Sequence, residues 1–247
     1  MKTASKMKNK SDFSTINADE IYHFAQDSAD WWNLDGAFAP LHRMTPARMS
    51  YLKSVIGEIK NKTILDIGCG GGLISTPLAR LGGKVTGVDA DKQAITVAKQ
   101  HSRTQGLEID FIHGAAENLV AEGRKFDVVM ALEVIEHVDN PDLFVKLCSQ
   151  LVKPNGMIVF STLNRTWKSY ALGIIAAERI LRWVPVGTHD WKKFIKPSEL
   201  ARYATSCGLT VTDAKGMVFN PLKNEFSIHP HDLDLNYFLV ASPPRKG

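Results

Sequence analysis

The stretch from Thr63 to Asp89 reads TILDIGCGGGLISTPLARLGGKVTGVD and decides the fold. It opens on a short apolar run typical of a buried strand, and the chain then turns at a cluster of glycines. A helical pattern follows, and a second apolar run ends on Asp89. A strand, a tight turn, a helix and another strand form the repeating unit of a parallel sheet that carries helices on its faces.

The same alternation continues outward from this stretch to the end of the chain. Five further apolar runs read as strands, and three further periodic patterns read as helices. The first of these helices has Asp91 as its N-cap and Gly106 after its end. The last two strands have no helix between them, so they should pair antiparallel. We therefore predict an α/β fold with a seven-stranded, mostly parallel sheet, helices on both faces and an antiparallel last strand.

Two regions fall outside this alternation. Before Thr63 the chain has two helical patterns, and the second is predicted to begin at Thr45 and Pro46, a pair that favours a helix start. An insertion of about thirty residues follows Leu163 and is longer than an ordinary connection between a strand and a helix. The predicted organisation is a flexible basic tail over 1–16, an N-terminal helical cap over 17–62, and an α/β domain over 63–247 with its insertion at 164–196.

The composition excludes several classes of protein. Of 247 residues, 44% are hydrophobic and 23% are charged, as in an ordinary globular protein. The net charge of +4 is too small to indicate nucleic-acid binding, and the four lysines of the initial MKTASKMKNK are enough to account for it. No apolar run approaches the ~20 residues that a spanning helix needs. The three cysteines are scattered, which is typical of reduced thiols in a cytosolic protein.

The glycine turn after the first strand indicates a cofactor site. Glycine lets the backbone approach a ligand closely at the carboxyl end of a strand. The dinucleotide fingerprint G-x-G-x-x-G/A fails at Leu73, whereas the spacing G-x-G-x-G fits. Asp89 follows about twenty residues beyond Gly68, where an acidic residue binds the ribose hydroxyls of a nucleotide. Asp66 precedes the turn and either binds a ligand ammonium or caps local amides.

A second candidate site follows the fourth strand, in the stretch VVMALEVIEHVDNP from Val128 to Pro141. Glu133, Glu136 and His137 have the spacing i, i+3, i+4, which would place them on one face of a helical turn. Two carboxylates and an imidazole suit a divalent cation with positions left open for a substrate. Two alternatives stay open. The glutamates also complement a helix dipole, and without a metal His137 is the best general base.

Four segments, ILDIGCGGG, VTGVD, FDVVMALEVIEHV and LVKPNGMIVFSTLNRT, resemble the class I methyltransferases that use S-adenosylmethionine, which have a Rossmann-like fold. The segment ADWWNLDGAFAPLHRMTPARMSYL more narrowly resembles the ubiquinone-biosynthesis O-methyltransferases. This resemblance runs over nearly the whole chain. It implies methyl transfer from S-adenosylmethionine to phenolic hydroxyls of 2-polyprenyl-6-hydroxyphenol and 3-demethylubiquinol. The alternatives are a methyltransferase for another small phenolic or lipid acceptor, and a lipid- or cofactor-binding protein without catalysis.

The resemblance also implies roles for individual residues. Arg48 would hold the methionine carboxylate of the cofactor, for which its planar guanidinium is suited. Gly68 would approach the methionine part, Asp89 would bind the ribose, and Leu132 would lie beside the reactive methyl. The E-x-x-E-H pattern implies a magnesium site formed by Glu133, Glu136 and His137. His137 and Glu133 are then the candidate catalytic residues.

The insertion is predicted to contact a membrane. Residues 168–184 have helical periodicity with one apolar face, and the span from Arg165 to Lys196 contains seven Lys and Arg residues against Glu178 and Asp190. Tryptophans in such a segment are typical of a helix lying in the headgroup layer. The expected partners are a polyprenylated phenol or quinol, an anionic membrane surface and other ubiquinone-pathway proteins, but no nucleic acid. The expected location is cytoplasmic, at the periphery of the inner membrane.

Overall fold

The computed structural model describes residues 15–171 and 190–244. In these ranges the strands are β1 (Thr63–Ile67), β2 (Lys84–Asp89), β3 (Asp110–His113), β4 (Phe126–Leu132), β5 (Val152–Leu163), β6 (Thr210–Asn220), β7 (Glu225–His229) and β8 (Asn236–Ser242). They form one sheet in the order β3-β2-β1-β4-β5-β8-β6-β7. The first five pair in parallel, whereas β8 pairs antiparallel with both β5 and β6, and β7 pairs antiparallel with β6.

Helices connect most of the strands. In the described ranges the helices are α1 (Ala18–Ala25) and α2 (Ala39–Ile56), which precede β1, and then α3 (Ser75–Arg80), α4 (Lys92–Thr104), α5 (Ala116–Ala121), α6 (Pro141–Leu151), α7 (Trp167–Ser169) and α8 (Pro197–Ser206). The described part of the chain also contains 3-10 turns at Ser28–Asp30, Ile135–His137 and Trp191–Lys193. The N-cap prediction for α4 is confirmed, because the Asp91 side chain accepts a hydrogen bond from the Gln93 amide at 2.8 Å.

The predicted fold class is confirmed, but the strand count is wrong by one. The described residues form eight strands rather than seven, and the missed strand is β7. Its sequence EFSIH has only two apolar residues, and its side chains alternate between exposed and half-buried. EFSIH does alternate between polar and apolar residues, but a run of five residues with two apolar positions is too short to be separated from a loop by its alternation alone.

The predicted start of the second helix is also wrong. The helix α2 begins at Ala39, so Thr45 and Pro46 lie inside it. Pro40 occupies the first turn, where a missing amide N–H costs nothing. Thr45 does not cap the helix, because its hydroxyl donates to the Leu41 carbonyl oxygen at 2.9 Å. Pro40 and Pro46 lie six residues apart, and each could mark a helix start. The helix begins at the earlier of the two.

The core lies on both faces of the sheet. Leu65 and Val129 pack with residues of α5, α6 and α8, whereas Ile64 and Val128 pack with residues of α2 and α3. The chain runs outward from β1 to β3 and returns to β4 on the other side of β1. This reversal leaves a crevice beyond the carboxyl ends of β1 and β4, where open α/β sheets bind ligands. No helix within the described ranges is long and apolar enough to cross a membrane.

Candidate active site

The glycine turn leaves β1 in left-handed backbone conformations. Gly68 has φ 69° and Gly70 has φ 51°, a region that side chains rarely adopt. A Cβ added at Gly68 would stand 2.4 Å from Val134 Cγ2. The close neighbour at this glycine is therefore a side chain of the protein itself, just past the end of β4. The turn and the segment after β4 are packed together as one unit.

Asp89 fixes the turn to the end of β2. Its Oδ2 accepts from the Gly70 amide and its Oδ1 accepts from the Asp91 amide, each at 2.8 Å. Burial raises the pKa of Asp89 above its ordinary value, and the two amide hydrogen bonds oppose that rise. An ionised carboxylate has about four acceptor positions, so ribose hydroxyls can add to these amides.

Asp66 lies at the other side of the turn and is buried. Its Oδ2 accepts from the Ser75 hydroxyl at 2.6 Å. Burial raises the pKa of Asp66 to about 6, with the Asp89 charge as a smaller cause, while Ser75 and Arg48 work against the rise. Ser75 and Arg48 thus favour the ionised form of a carboxyl that burial disfavours.

Trp31 from the N-terminal cap covers the glycine turn. A Cβ added at Gly70 would stand 2.4 Å from its ring, and one added at Gly71 would stand 2.6 Å away. The Trp31 ring stacks on Phe38, with a centroid distance of 3.8 Å. The Trp31 carbonyl oxygen lies 2.8 Å from His42 Nε2. The absence of side chains at the two glycines is therefore what lets the cap close on the turn.

Trp32 attaches the cap at a second point. Its Nε1 donates to the Gly71 carbonyl oxygen at 3.0 Å, and its ring stacks on His101 of α4 at 3.4 Å between centroids. The Ser28 hydroxyl donates to Asp91, which is also the N-cap of α4. In the W-W…L-H block of the segment ADWWNLDGAFAPLHRMTPARMSYL, Trp31 and Trp32 thus contact the glycine turn, and His42 contacts Trp31.

Arg48 of α2 is buried beside the crevice. Its Nη2 lies 3.3 Å from Glu133 Oε1, and it is near enough to Asp66 to lower the pKa of that carboxyl. Arg48 Nε and Trp31 Nε1 are buried and have no hydrogen-bond partner among the described residues. Two unpartnered donors beside a turn of glycines fit a ligand that carries a carboxylate and hydroxyls, as S-adenosylmethionine does.

Glu133 follows β4 directly and has an unusual backbone. Its φ is 57°, in the left-handed region, and its amide donates to the Ser161 carbonyl oxygen at 2.9 Å. The Ser161 hydroxyl donates to its Oε1 at 2.6 Å, and Asn236 Nδ2 donates to its Oε2 at 2.8 Å. With Arg48, three side chains from α2, β5 and β8 fix this carboxylate.

Glu136 lies deeper than Glu133. Its Oε2 accepts from the Thr162 hydroxyl at 2.9 Å, and its side chain is almost completely buried. Burial and the charge of Glu133 raise its pKa to about 7, although His137 and the hydrogen bonds oppose this rise. The protonated form of this carboxyl is therefore favoured more than that of a carboxyl in water.

His137 pairs with Glu20, a residue of the N-terminal cap. His137 Nδ1 lies 3.0 Å from Glu20 Oε2, and Lys193 Nζ donates to Glu20 Oε1 at 2.7 Å. These two hydrogen bonds outweigh burial and lower the pKa of Glu20 to about 2. Burial alone would lower the pKa of His137, but Glu20 together with the charges of Glu136 and Glu133 raises it above its ordinary value.

The three residues of the E-x-x-E-H pattern do not converge on one point. Glu133 precedes the 3-10 turn at Ile135–His137, so the predicted single helical face is wrong. Glu133 accepts from donors on β5 and β8, Glu136 accepts from Thr162, and His137 points its Nδ1 at Glu20. Within the described ranges no group of three His, Cys, Asp or Glu side chains is placed to hold a metal ion. In this arrangement the residues do not fit magnesium.

Of the predicted cofactor residues, Gly68 and Asp89 lie at the glycine turn, and Leu132 is buried at the end of β4 beside Glu133. Their contacts with a cofactor stay predictions. Sequence reasoning missed the residues that fix the candidate catalytic pair, which come from distant parts of the chain: Glu20, Ser161 and Asn236. Among the missed residues that contact the site, only Trp31 and Trp32 could have been found from the sequence, because they belong to the W-W…L-H block.

Solved methyltransferases share this fold. A magnesium protoporphyrin IX methyltransferase from Synechocystis, determined with bound SAH, superposes with a TM-score of 0.63 at 16% identity and covers 90% of this chain and 94% of its own. An S-adenosylmethionine-dependent methyltransferase from Clostridium acetobutylicum gives a TM-score of 0.58 at 14% identity and covers 91% of this chain and 99% of its own. At such identities the likeness shows the fold alone.

Sequence relatives are much closer. A methyltransferase-domain family model matches residues 65–160. A ubiquinone biosynthesis O-methyltransferase of Cereibacter sphaeroides is 45% identical over 243 residues, which cover 94% of this chain and 98% of that protein. One from Bartonella bacilliformis is 43% identical and covers 92% of this chain and 96% of its own. The chain therefore belongs to the ubiquinone biosynthesis O-methyltransferase family, and it is an S-adenosylmethionine-dependent methyltransferase.

Proposed function

We propose that this enzyme methylates the phenolic hydroxyls of 2-polyprenyl-6-hydroxyphenol and 3-demethylubiquinol. The main support for this proposal is that the similarity to named ubiquinone biosynthesis O-methyltransferases extends through the cap as well as through the methyltransferase core. The cap supplies Trp31, Trp32 and Glu20 to the crevice. A relative that shared only the cofactor chemistry would need to match only the core.

S-adenosylmethionine supplies an activated methyl group, so the enzyme mainly positions the acceptor and makes its oxygen nucleophilic. A phenol has a pKa near 10, so only about one molecule in a thousand is ionised at pH 7. We assign His137 as the base that takes the phenolic proton, because Glu20 holds its ring in the 3-10 turn that follows β4, and the carboxyl end of β4 borders the crevice. Glu133 is the second catalytic candidate, held where the carboxyl end of β4 meets Arg48.

The assignment is tested by methyl transfer to a short-chain demethylubiquinol analogue, with detection of the methylated product by mass. We expect one methyl group to be added per acceptor and His137→Gln to lose turnover while keeping affinity for S-adenosylmethionine. A small catechol without the quinol head serves as the competing acceptor. Faster methylation of the catechol would replace the ubiquinone-precursor assignment with another phenolic substrate. Cofactor binding without transfer to any acceptor would favour a binding protein.

The magnesium requirement stays a prediction, and no step of the proposed mechanism depends on it. Turnover is measured in enzyme freed of divalent ions with a chelator, and again after addition of Mg²⁺. Turnover that returns only with Mg²⁺ would mean that Glu133 exchanges the hydrogen bonds from Ser161 and Asn236 for the ion. Full turnover in chelated enzyme would exclude a role for the metal in the reaction and would leave His137 as the sole candidate base.

We also propose that the insertion at 164–196 docks on an anionic membrane surface, where a polyprenyl tail would lie. Most of its predicted amphipathic helix lies outside the described residues. At its described ends, Trp167, Tyr170 and Trp191 form a cluster with ring centroids 5.9–6.1 Å apart, and Trp167 is 80% exposed. Exposed tryptophan beside basic residues suits the headgroup layer. Other proteins of the ubiquinone pathway are proposed to meet the enzyme at this surface.

Vesicle sedimentation tests the docking proposal. We expect binding to vesicles with anionic lipid and little binding to zwitterionic ones, because each basic residue near an anionic surface contributes ~1 kcal/mol. Replacing Ile174 and Leu181 with Asp should abolish sedimentation. The matched control is Leu222→Asp, which changes an apolar residue that is 96% exposed in the turn between β6 and β7. Equal sedimentation of the double variant and the parent would exclude this helix as the anchor.

A further inference from the structure

An indole of the N-terminal cap lies on the glycine turn. The Trp31 ring is so close to Gly70 and Gly71 that Cβ atoms added there would stand 2.4 Å and 2.6 Å from its carbons. The ring atom Cε2 would be 3.1 Å from the Cβ added at Gly70, and Nε1 is bonded to Cε2. The indole N–H therefore lies beside Gly70, in the turn that the sequence indicates as the cofactor site.

The cap fixes the orientation of this ring. Trp31 follows the 3-10 turn at Ser28–Asp30, and Phe38 stacks on its ring with a centroid distance of 3.8 Å and an angle of 7° between the planes. The Trp31 carbonyl oxygen lies 2.8 Å from His42 Nε2, so its backbone is held as well. The indole N–H cannot turn toward another acceptor unless the stack on Phe38 breaks.

The N–H of this ring is an unused donor. Trp31 Nε1 is buried and has no hydrogen-bond partner among the described residues. An indole can only donate, and a buried donor without a partner costs free energy that a ligand acceptor would restore. The neighbouring Trp32 differs, because its Nε1 donates to the Gly71 carbonyl oxygen at 3.0 Å. One of the two adjacent indoles thus bonds the turn, and the other is oriented there with its donor unpaired.

The methionine carboxylate is the group of S-adenosylmethionine that suits this donor best. It is charged and can only accept hydrogen bonds, so a buried site must surround it with donors. The ammonium group is itself a donor, and the ribose hydroxyls can donate to Asp89, which fixes the same turn. Arg48 is predicted to hold the carboxylate, and its Nε is also buried without a partner among the described residues.

We propose that Trp31 is a cofactor-binding residue, whose indole N–H donates to the methionine carboxylate of S-adenosylmethionine together with Arg48. This inference rests on the placement of the cofactor at the glycine turn. Both donors belong to the cap, Trp31 before α2 and Arg48 on it. The carboxylate is therefore the part of the cofactor that engages the cap. A ligand without that group should still fit the turn but gain nothing from the indole N–H.

Trp31→Phe tests the proposal, because it keeps an aromatic ring against the turn and removes the N–H. Calorimetric titration with S-adenosylhomocysteine, which has the carboxylate, should show at least ~10-fold weaker binding, as expected for a hydrogen bond to a charged group. The affinity for 5′-methylthioadenosine, which lacks the carboxylate, should change little. The matched control is Tyr22→Phe, which removes one donor from another aromatic residue of the cap that is 73% exposed. It should keep both affinities.

The comparison of the two ligands separates a direct contact from a loosened cap. Trp32→Phe, which removes the bond to Gly71, should weaken the binding of both ligands alike. The same equal weakening in Trp31→Phe would overturn the proposal, and so would an unchanged affinity for S-adenosylhomocysteine in that variant. If Asp89→Asn still weakens cofactor binding in that case, the cofactor site stays at the glycine turn and only the assignment of Trp31 fails.

Nuclear magnetic resonance of the unaltered protein gives a readout that depends on no variant. The indole proton of Trp31 should move downfield during titration with S-adenosylhomocysteine, because it enters a hydrogen bond to a charged oxygen. It should move much less with 5′-methylthioadenosine. An indole resonance that responds equally to the two ligands, or to neither, would refute the proposal even if Trp31→Phe fails to fold.

Discussion

Glu133 combines two features that seldom occur together in one residue. Its backbone is left-handed with φ 57°, which costs a residue with a side chain on the order of 1–3 kcal/mol. Its carboxylate is held by Ser161, Asn236 and the buried Arg48. Such strain persists only where surrounding contacts over-determine the conformation, and it is typical of functional sites. The contacts of the side chain are thus what keep the backbone in place.

Glu133→Gln should destabilise the protein, because Arg48 would then be buried beside a neutral side chain. Removal of one partner of a buried ion pair costs ~3–5 kcal/mol. Urea unfolding should show a lower midpoint with an unchanged slope. Glu225→Gln, on the exposed face of β7, is the control and should leave the midpoint unchanged. A Glu133→Gln variant with wild-type stability would contradict the assigned ion pair.

Asp89→Asn should weaken S-adenosylmethionine binding at least ~10-fold, because hydrogen bonds to a charged group contribute ~1.5–3 kcal/mol each and ~1.4 kcal/mol is a factor of ten. One of the two oxygens becomes an amide nitrogen, so either the Gly70 amide or the Asp91 amide loses its acceptor along with the lost ribose contacts. Calorimetric titration measures the affinity. Asp110→Asn makes the same change at the amino end of β3, far from the crevice, and should have no effect. Equal affinities would refute the ribose role of Asp89.

At the scale of elements, the amino ends of three strands are joined by one carboxylate. Asp127 Oδ2 of β4 accepts from the Thr63 amide at 2.8 Å and from its hydroxyl at 2.7 Å, at the start of β1. Lys153 Nζ of β5 donates to the same carboxylate at 3.0 Å. This junction lies at the opposite end of the sheet from the site, so it bears on stability alone.

Asp127→Asn should lower the free energy of unfolding at neutral pH. That free energy should also decrease less in the variant than in the parent as the pH falls. Burial would raise the pKa of Asp127, but the Thr63 hydrogen bonds and Lys153 lower it from 3.8 to about 2. A depressed pKa adds stability that is fully present above pH 3.8 and is lost as pH falls toward 2. Thermal unfolding across that pH range measures both effects. Asp35→Asn, at an exposed loop residue, should keep the steeper acid loss of the parent.

Local patterns predicted most elements well. The apolar runs of β1, β2 and β4 and the cap of α4 depend on neighbours in sequence, and the structure confirms them. The contacts of Glu20 and Asn236 could not be predicted, because each joins segments more than a hundred residues apart. A single sequence contains no record of such pairs. The single helical face predicted for E-x-x-E-H was wrong for a related reason, because the spacing assumed a regular helix where the chain makes a strained turn.

At the scale of the whole molecule, the N-terminal cap acts as one wall of the crevice. It contacts the glycine turn through Trp31 and Trp32, the proposed base His137 through Glu20, and Glu133 through Arg48. Cofactor and acceptor must therefore enter between the cap and the carboxyl end of the sheet. Release of the cap would open the cofactor side and remove the contact to His137 at the same time.

Trp32→Ala should loosen the whole cap. The change removes the hydrogen bond to Gly71, worth ~1 kcal/mol, and the ring stack on His101, worth ~0.5–1.5 kcal/mol. We expect faster amide hydrogen exchange over 18–56 and weaker S-adenosylmethionine binding. Tyr22→Ala is the control, since Tyr22 belongs to the same cap but is 73% exposed. Unchanged exchange in Trp32→Ala would show that the cap is held elsewhere.

The position of β8 constrains the order in which the enzyme can be assembled during its synthesis. This strand lies between β5 and β6, although both of those are made before it. A nascent chain therefore cannot close its sheet until residue 242 has left the ribosome, and the β6–β7 hairpin cannot join the rest of the sheet until then. Asn236, which holds the Glu133 carboxylate, arrives with the same strand. Translation thus completes the proposed site last, and a ribosome that stalls earlier releases a chain in which Glu133 lacks its Asn236 partner.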